Sequence, residues 1–254
     1  MFSSFEFAKK SIMFSTKIHP IIHYNVLLNF ILFFLIMAIG AFIIIGFLTK
    51  TDNVNELKKT DASGGNDYMY DRIVAITFDD GPCSRTTNRL LDGLKERNVK
   101  ATFFLVGENA ESNEKVVKRM HEEGHLIGNH TYSHIKLDEC NISSAVGEIN
   151  KTNEIIKSIT GEDVKYIRPP YGAYSDKLLS HVNMTPVLWS IDPDDWATTD
   201  TAYVVKSVVY KVKNGDIILL HDIYDSSVEA ALEIIDRLSS KGFVFVTVDQ
   251  LMLD

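Results

Sequence analysis

Two adjacent carboxylates, Asp79 and Asp80, stand in the stretch Thr77-Phe78-Asp79-Asp80-Gly81-Pro82. The apolar, β-rich run Ile73-Val74-Ala75-Ile76 leads into them, and Gly81-Pro82 breaks the chain directly after. Neighbouring side chains of a strand point to opposite faces. Two acids at a strand's end can therefore serve separate tasks at one rim, one holding a metal while the other handles a proton. Further on, His130-Thr131-Tyr132-Ser133-His134 sets two imidazoles four residues apart. On one side of a helical turn, both rings can reach a single cation. Two imidazoles and a carboxylate make a normal zinc set with positions left open, and either Asp79 or Asp80 could supply the oxygen. Alone, each stretch also reads as a turn-forming strand end or a chance surface pair.

Three more stretches carry chemistry of the same kind. In Arg168-Pro169-Pro170-Tyr171-Gly172 the prolines fix φ and exclude helix, leaving a stiff loop that can aim Arg168 and the Tyr171 backbone N–H. Asp192-Pro193-Asp194-Asp195-Trp196 sets acids beside an indole, which suits a carbohydrate face or a carboxylate that orients a histidine. In Leu219-Leu220-His221-Asp222 a histidine ends an apolar run.

The elements that must position these groups alternate. Strands are predicted at 72–78, 101–106, 125–128, 164–167, 186–190, 216–220 and 243–246. Helices are predicted at 86–97, 112–123, 142–159, 175–182, 201–212 and 227–241. Such alternation implies parallel strands with helices outside, as a closed barrel or an open doubly wound sheet. Both architectures build their sites at the C-terminal ends of the strands. Every stretch above falls just beyond such an end, which turns five ordinary features into one constellation.

Ahead of this region, residues 1–25 carry Lys9, Lys10 and Lys17, and Val26–Leu48 is uncharged with Asn29 as its one clearly polar side chain. That length matches the about 20 apolar residues that cross a bilayer. It exceeds the roughly 7–15 of a signal peptide's apolar region. Residues 49–71 are polar, of mixed charge, and contain Ser63-Gly64-Gly65-Asn66, a flexible linker by composition. The expected layout is a cytoplasmic tail (1–25), a transmembrane helix (26–48), a linker (49–71) and a catalytic domain (72–254). The formal net charge of −8 argues against a nucleic-acid partner. Two cysteines, Cys83 and Cys140, form no CxxC, so neither a zinc ribbon nor a disulfide framework is indicated; one bridge between them stays open.

The five stretches, in this order, resemble the motifs of polysaccharide deacetylases, the carbohydrate esterase family 4 enzymes with a NodB-homology domain. The resemblance covers about residues 70–254. It implies a distorted (β/α) barrel of about seven parallel strands, here preceded by the one transmembrane helix. It also implies roles. Asp80, His130 and His134 would bind a divalent ion, zinc first, with cobalt or another ion as alternatives. Asp79 would be the general base, oriented by Arg168, and the Tyr171 backbone N–H would meet the oxyanion. His221 would be the general acid, tuned by Asp195. Trp196, Leu219, Pro169 and Tyr171 would bind substrate, and Asp192 would give structural support.

The expected activity is removal of acetyl groups from N-acetylglucosamine residues of an extracellular polysaccharide, peptidoglycan first. Chitooligosaccharide, poly-N-acetylglucosamine and acetylxylan are the alternatives, and a glycan-binding module without turnover is the competing class. A binding module needs neither Asp79 nor His221. A zinc peptidase would want HExxH, whereas Thr131-Tyr132-Ser133 lie between these histidines. The expected setting is the cell membrane, single-pass, with a monomeric catalytic domain outside and the membrane as partner through the N-terminal helix.

Overall fold

In the computed structural model, which describes residues 72–252, the apolar run before the paired aspartates forms the central strand β1 (Ile73–Asp79). There follow α1 (Thr86–Glu96), β2 (Thr102–Leu105), α2 (Gly107–Ser112), α3 (Glu114–Glu122), β3 (Leu126–Asn129) and α4 (Ile142–Thr160). Next come β4 (Tyr166–Ile167), α5 (Asp176–Leu179), β5 (Thr185–Pro186) and α6 (Thr201–Lys211). The chain ends with β6 (Asp216–His221), α7 (Asp225–Ser240), β7 (Val244–Val246) and α8 (Val248–Leu251).

All strand pairings are parallel, in the order β5-β4-β3-β2-β1-β6, with β7 also on β1. One edge of β1 is shared: β7 pairs Ile73–Ala75 and β2 pairs Thr77–Asp79. The other edge runs along β6 from Val74 to Asp79. Period-two alternation then sorts the side chains of β1. Val74, Ile76 and Phe78 pack outward with Leu90, Leu91 and Leu94 of α1 and Ile234 and Leu238 of α7, each burial contributing about 1.5–3 kcal/mol. Ala75 packs inward with Phe104, Val187 and Val248. Thr77 and Asp79 therefore fall on the inner face, and Asp79 arrives there at the C-terminal end.

The expectation of a barrel is corrected: the sheet is an open, curled half-barrel. β4 and β5 are two residues each, and β5 forms no ladder with β6. Thr185 and Val187 direct their N–H groups to Lys165 and Ile167 on the β4 side. The alternate residue, Pro186, has no N–H to offer in the other direction. Only a single bridge, Ile191 to Ile218, joins the chain after β5 to β6. The strand predicted over 186–190 is thus mostly irregular.

The membrane expectation is corrected as well. Among the described residues no helix is long and apolar enough to cross a membrane. The longest, α4, buries Ala145, Ile149, Thr152 and Ile156 along one side and turns charged residues outward. The stretch Val26–Leu48, with the tail and linker around it, lies outside the described residues. The transmembrane helix, the single-pass cell-membrane location and the membrane partner thus have no element of the structure to rest on.

Candidate active site and metal centre

Asp79 and Asp80 part at the end of β1 because the backbone turns sharply between them, with Asp80 at φ 72°. The turn is tied down by bonds from Asn109 Nδ2 to the Asp80 carbonyl (2.7 Å) and from the Val106 N–H to the Gly81 carbonyl (3.1 Å). Gly81 is required by close approach: a Cβ there would lie 2.2 Å from Asp222 Oδ1.

Asp80 Oδ1 faces His134 Nε2 at 3.3 Å and His130 Nε2 at 3.5 Å, and one ligand atom from each residue lies within 4.8 Å of the others. His130 Nδ1 lies 2.5 Å from the Arg168 carbonyl oxygen, which can only accept, so Nδ1 carries the hydrogen and Nε2 presents its lone pair. Asp80 Oδ1 is buried and has no hydrogen-bond partner. Burial favours the neutral Asp80 carboxyl, but the adjacent His130, with His221 and His134, holds it below the usual range. Burial, then the neighbouring His130, holds His134 below the ordinary imidazole value, favouring the neutral ring that a metal requires. Two imidazole nitrogens and an orphaned carboxylate oxygen converging on one point fit a divalent cation.

Beside this cluster Arg168 is fully buried. Its Nη1 donates to Asp79 Oδ1 (2.8 Å) and Thr77 Oγ1 (2.7 Å), Nε to the Val187 carbonyl (3.1 Å) and Nη2 to the Leu188 carbonyl (3.0 Å). The guanidinium also lies 4.2 Å from the centre of the Phe104 ring. Asp79 Oδ1 is thereby engaged, and Oδ2 is turned to the metal side, 3.7 Å from His130 Nε2.

Opposite, His221 ends β6 in register with Asp79. Its Nδ1 meets Asp195 Oδ1 at 2.8 Å, and its backbone N–H donates to Asp195 Oδ2 at 2.9 Å. Burial works against the charged imidazole, yet the hydrogen bond and charge of Asp195, aided by Asp79 and Asp80, raise His221 to about 9. A carboxylate that can accept a proton and an imidazole that can donate one thus flank a cation cluster.

These groups line one cavity of about 510 Å³, together with Tyr171, Asp192, Trp196 and Leu219. Trp196 and Tyr171 stand at its rim, 59% and 68% exposed, and the Tyr171 ring meets His134 edge-on at 5.0 Å. Asp192 is raised first by its own burial and also by the charges of Asp194 and Asp195. Pro169 is buried and does not line the cavity. Cys83 and Cys140 are both free thiols, and Cys83 does not reach the cavity. Sequence reasoning missed Trp189 and Tyr224, which do line it, and Thr77, which shares Arg168 with Asp79. The aromatic types were the available signal; nothing in sequence marked Thr77. A second cavity, of about 200 Å³ beside His121 and His125, lies at the opposite ends of β3 and β4 and gathers none of the motif residues.

Residues 67–187 match the family model for polysaccharide deacetylase. The peptidoglycan-N-acetylmuramic acid deacetylase PdaC of Bacillus subtilis is 41% identical over 180 residues, covering 71% of this chain and 38% of that protein. Its solved structure superposes with a TM-score of 0.70, covering 72% of this chain and 90% of that one. A peptidoglycan-N-acetylglucosamine deacetylase of Bacillus cereus is 44% identical, covering 68% of this chain and 66% of its relative. A chitooligosaccharide deacetylase of Rhizobium leguminosarum bv. trifolii is 38% identical, covering 68% of this chain and 88% of that protein. The match thus spans 38% of PdaC's length but most of the chitooligosaccharide enzyme. With the motif residues drawn to one cavity, the chain belongs to the polysaccharide deacetylase family.

Proposed function

We propose that this chain is a metal-dependent deacetylase that hydrolyses the acetamide of N-acetylglucosamine residues in peptidoglycan, with zinc as its ion. One observation carries the reading: a carboxylate tied to a buried arginine and a histidine tied to a buried aspartate face each other across a three-ligand cation cluster. Identity of 41% and 44% to the peptidoglycan deacetylases of two Bacillus species, against 38% to the chitooligosaccharide deacetylase, supports this polymer.

Asp80, His130 and His134 would hold the ion. When bound, a divalent ion polarises a carbonyl oxygen and lets water act as a nucleophile near neutral pH. Asp79 Oδ2, freed by the Arg168 contact to Oδ1, takes the proton from the attacking water. The Tyr171 backbone N–H donates to the oxygen that gains charge. His221 gives its Nε2 proton to the departing sugar nitrogen, because Nδ1 is committed to Asp195. Leu219 and Trp196 shelter the acetyl methyl group.

The test is acetate release by the zinc- or cobalt-loaded full chain from intact peptidoglycan and chitooligomers side by side, with mass spectrometry locating the freed amine. Release from peptidoglycan with the amine on N-acetylglucosamine supports the reading. An amine on the muramic residue, or preference for chitooligomers, reassigns the substrate. No acetate from any N-acetylated glycan refutes the enzyme.

A further inference from the structure

The loop carrying two of the three cation ligands is bent in a way its own sequence does not favour. Thr131 (φ 64°) and His134 (φ 56°) both occupy the left-handed region, strained for residues other than glycine and most of all for a β-branched one. The backbone N–H groups here find their partners in side chains. Thr131 donates to Asn129 Oδ1 (2.7 Å), while Tyr132 and Ser133 both donate to Glu148 Oε2 (3.1 and 2.8 Å). The Ser133 hydroxyl adds a third bond to the same oxygen (3.0 Å). From the other side, the Gly107 and Glu108 N–H groups at the start of α2 hold the carbonyls of Thr131 and Tyr132.

Glu148 is well placed to act as a fixed anchor. It lies mid-way along α4, a helix capped by the Asn141 side chain and closed by Gly161 at φ 80°. Its neighbour Ile149 is fully buried and accepts from Asn129 Nδ2 (2.8 Å), which docks the helix on the end of β3. Among the described residues no cation pairs with Glu148, so its charge is directed at the loop. The two histidines also differ in what orients them. His130 is pinned through its own ring by the Arg168 carbonyl. The His134 ring has no hydrogen bond among the described residues, so apart from ring contacts with Tyr171 and His130 its direction comes from its backbone.

We propose that Glu148 is a positioning residue of the metal centre, fixing the backbone of Tyr132 and Ser133 and so aiming His134 Nε2 at Asp80 Oδ1. This rests on Asp80, His130 and His134 being the ligands. Groups that orient metal ligands typically change affinity 10–100-fold when removed.

The experiment strips the full chain with a chelator and titrates cobalt(II), reading affinity and the visible absorption of the bound ion. Thermal unfolding of each metal-free variant is recorded in parallel. Glu148→Ala is expected to weaken cobalt binding by about 10–100-fold and to alter the spectrum. Glu148→Gln keeps an acceptor oxygen at the same reach and should stay near wild type. Glu148→Asp keeps the charge but withdraws it by one methylene and should be weakened. Should the alanine variant fail to fold, the Gln and Asp variants decide. Wild-type affinity and spectrum in Glu148→Ala overturn the proposal, as does an aspartate variant that binds better than the glutamine one, which would show a charge effect. A wild-type chain that binds no cobalt overturns the ligand assignment itself, and this proposal with it.

Discussion

Replacing Arg168 by methionine separates what the buried ion pair contributes from what its burial costs. The guanidinium is fully buried and Asp79 is 3% exposed, so the substitution leaves a carboxylate out of water with no cation beside it. It also strips donors from Thr77 Oγ1 and from the Val187 and Leu188 carbonyls. Removing one partner of a buried pair costs about 3–5 kcal/mol, chiefly through the charge left behind. Against a total stability of about 5–15 kcal/mol that is a large loss. If the stranded carboxylate is the cause, removing its charge as well should help. The Asp79→Asn/Arg168→Met double variant is expected to regain about 2 kcal/mol over Arg168→Met, within the usual range for coupled neighbours. Arg168→Lys keeps a charge but cannot fork to four acceptors, and should fall between. Urea unfolding of the full chain, followed by tryptophan fluorescence, measures this, because Trp189 lies 5.7 Å from the guanidinium. A loss below about 1 kcal/mol in Arg168→Met, or a double variant no more stable than the single one, would refute the reasoning.

Other consequences can be tested more briefly. His221, raised to about 9, binds a proton in the folded state that the unfolded chain releases near 6.5, so metal-free stability should decline as pH rises from about 6.5 to 9. Asp195→Asn should flatten that decline in pH-dependent urea midpoints and shift the alkaline limb of acetate release to lower pH. Asp222, wholly buried and pushed up by that burial to about 7, holds a proton that the unfolded chain gives up near 4. Stability should therefore also fall from about pH 4 to 7, and Asp222→Asn should remove that slope. Chelation should lower the unfolding temperature and metal should restore it, by about 2.7 kcal/mol at a hundredfold excess over the dissociation constant. An unchanged melting curve would count against the cation cluster. Gly81→Ala puts a Cβ onto the Asp222 carboxylate, costing about 1–3 kcal/mol, and Asp222→Ala in the same chain should relieve it.

Much of this architecture is legible in the sequence where local pattern decides structure. Ile73–Asp79 alternates into a strand, Leu90, Leu91 and Leu94 mark the buried side of α1, and Asn141 and Gly161 bracket α4. The five motif stretches fall at strand ends because loops there follow apolar runs. Closure of the sheet is not legible, since it depends on which edge of a two-residue strand the missing N–H of Pro186 faces. The helix predicted over 112–123 is α3, and what the sequence does not show is the short α2 ahead of it, which ends where Asn113 leaves the helical region at φ −134°. Glu148 and Thr77 are invisible for another reason. Their partners lie 15–16 and 91 residues away, and neither type stands out where it occurs.

Backbone strain ties these observations together. Six non-glycine residues have positive φ among the described residues: Asp80, Asn98, Thr131, His134, Tyr171 and Asp194. All but Asn98 lie in the motif loops, and the three that are neither Asp nor Asn, a threonine, a histidine and a tyrosine, occur only there. Each such residue costs on the order of 1–3 kcal/mol unless its surroundings fix it. At this rim the surroundings do so: Asn109 holds the Asp80 carbonyl, Glu148 the histidine loop, and the Asp192 side chain the Asp194 N–H. Asn98, by contrast, is an ordinary helix-end asparagine, the residue type that tolerates this conformation best. Strain that local sequence would not choose, confined to one rim and countered there by side chains from other elements, is what a site held ready for a cation and a reacting amide would require.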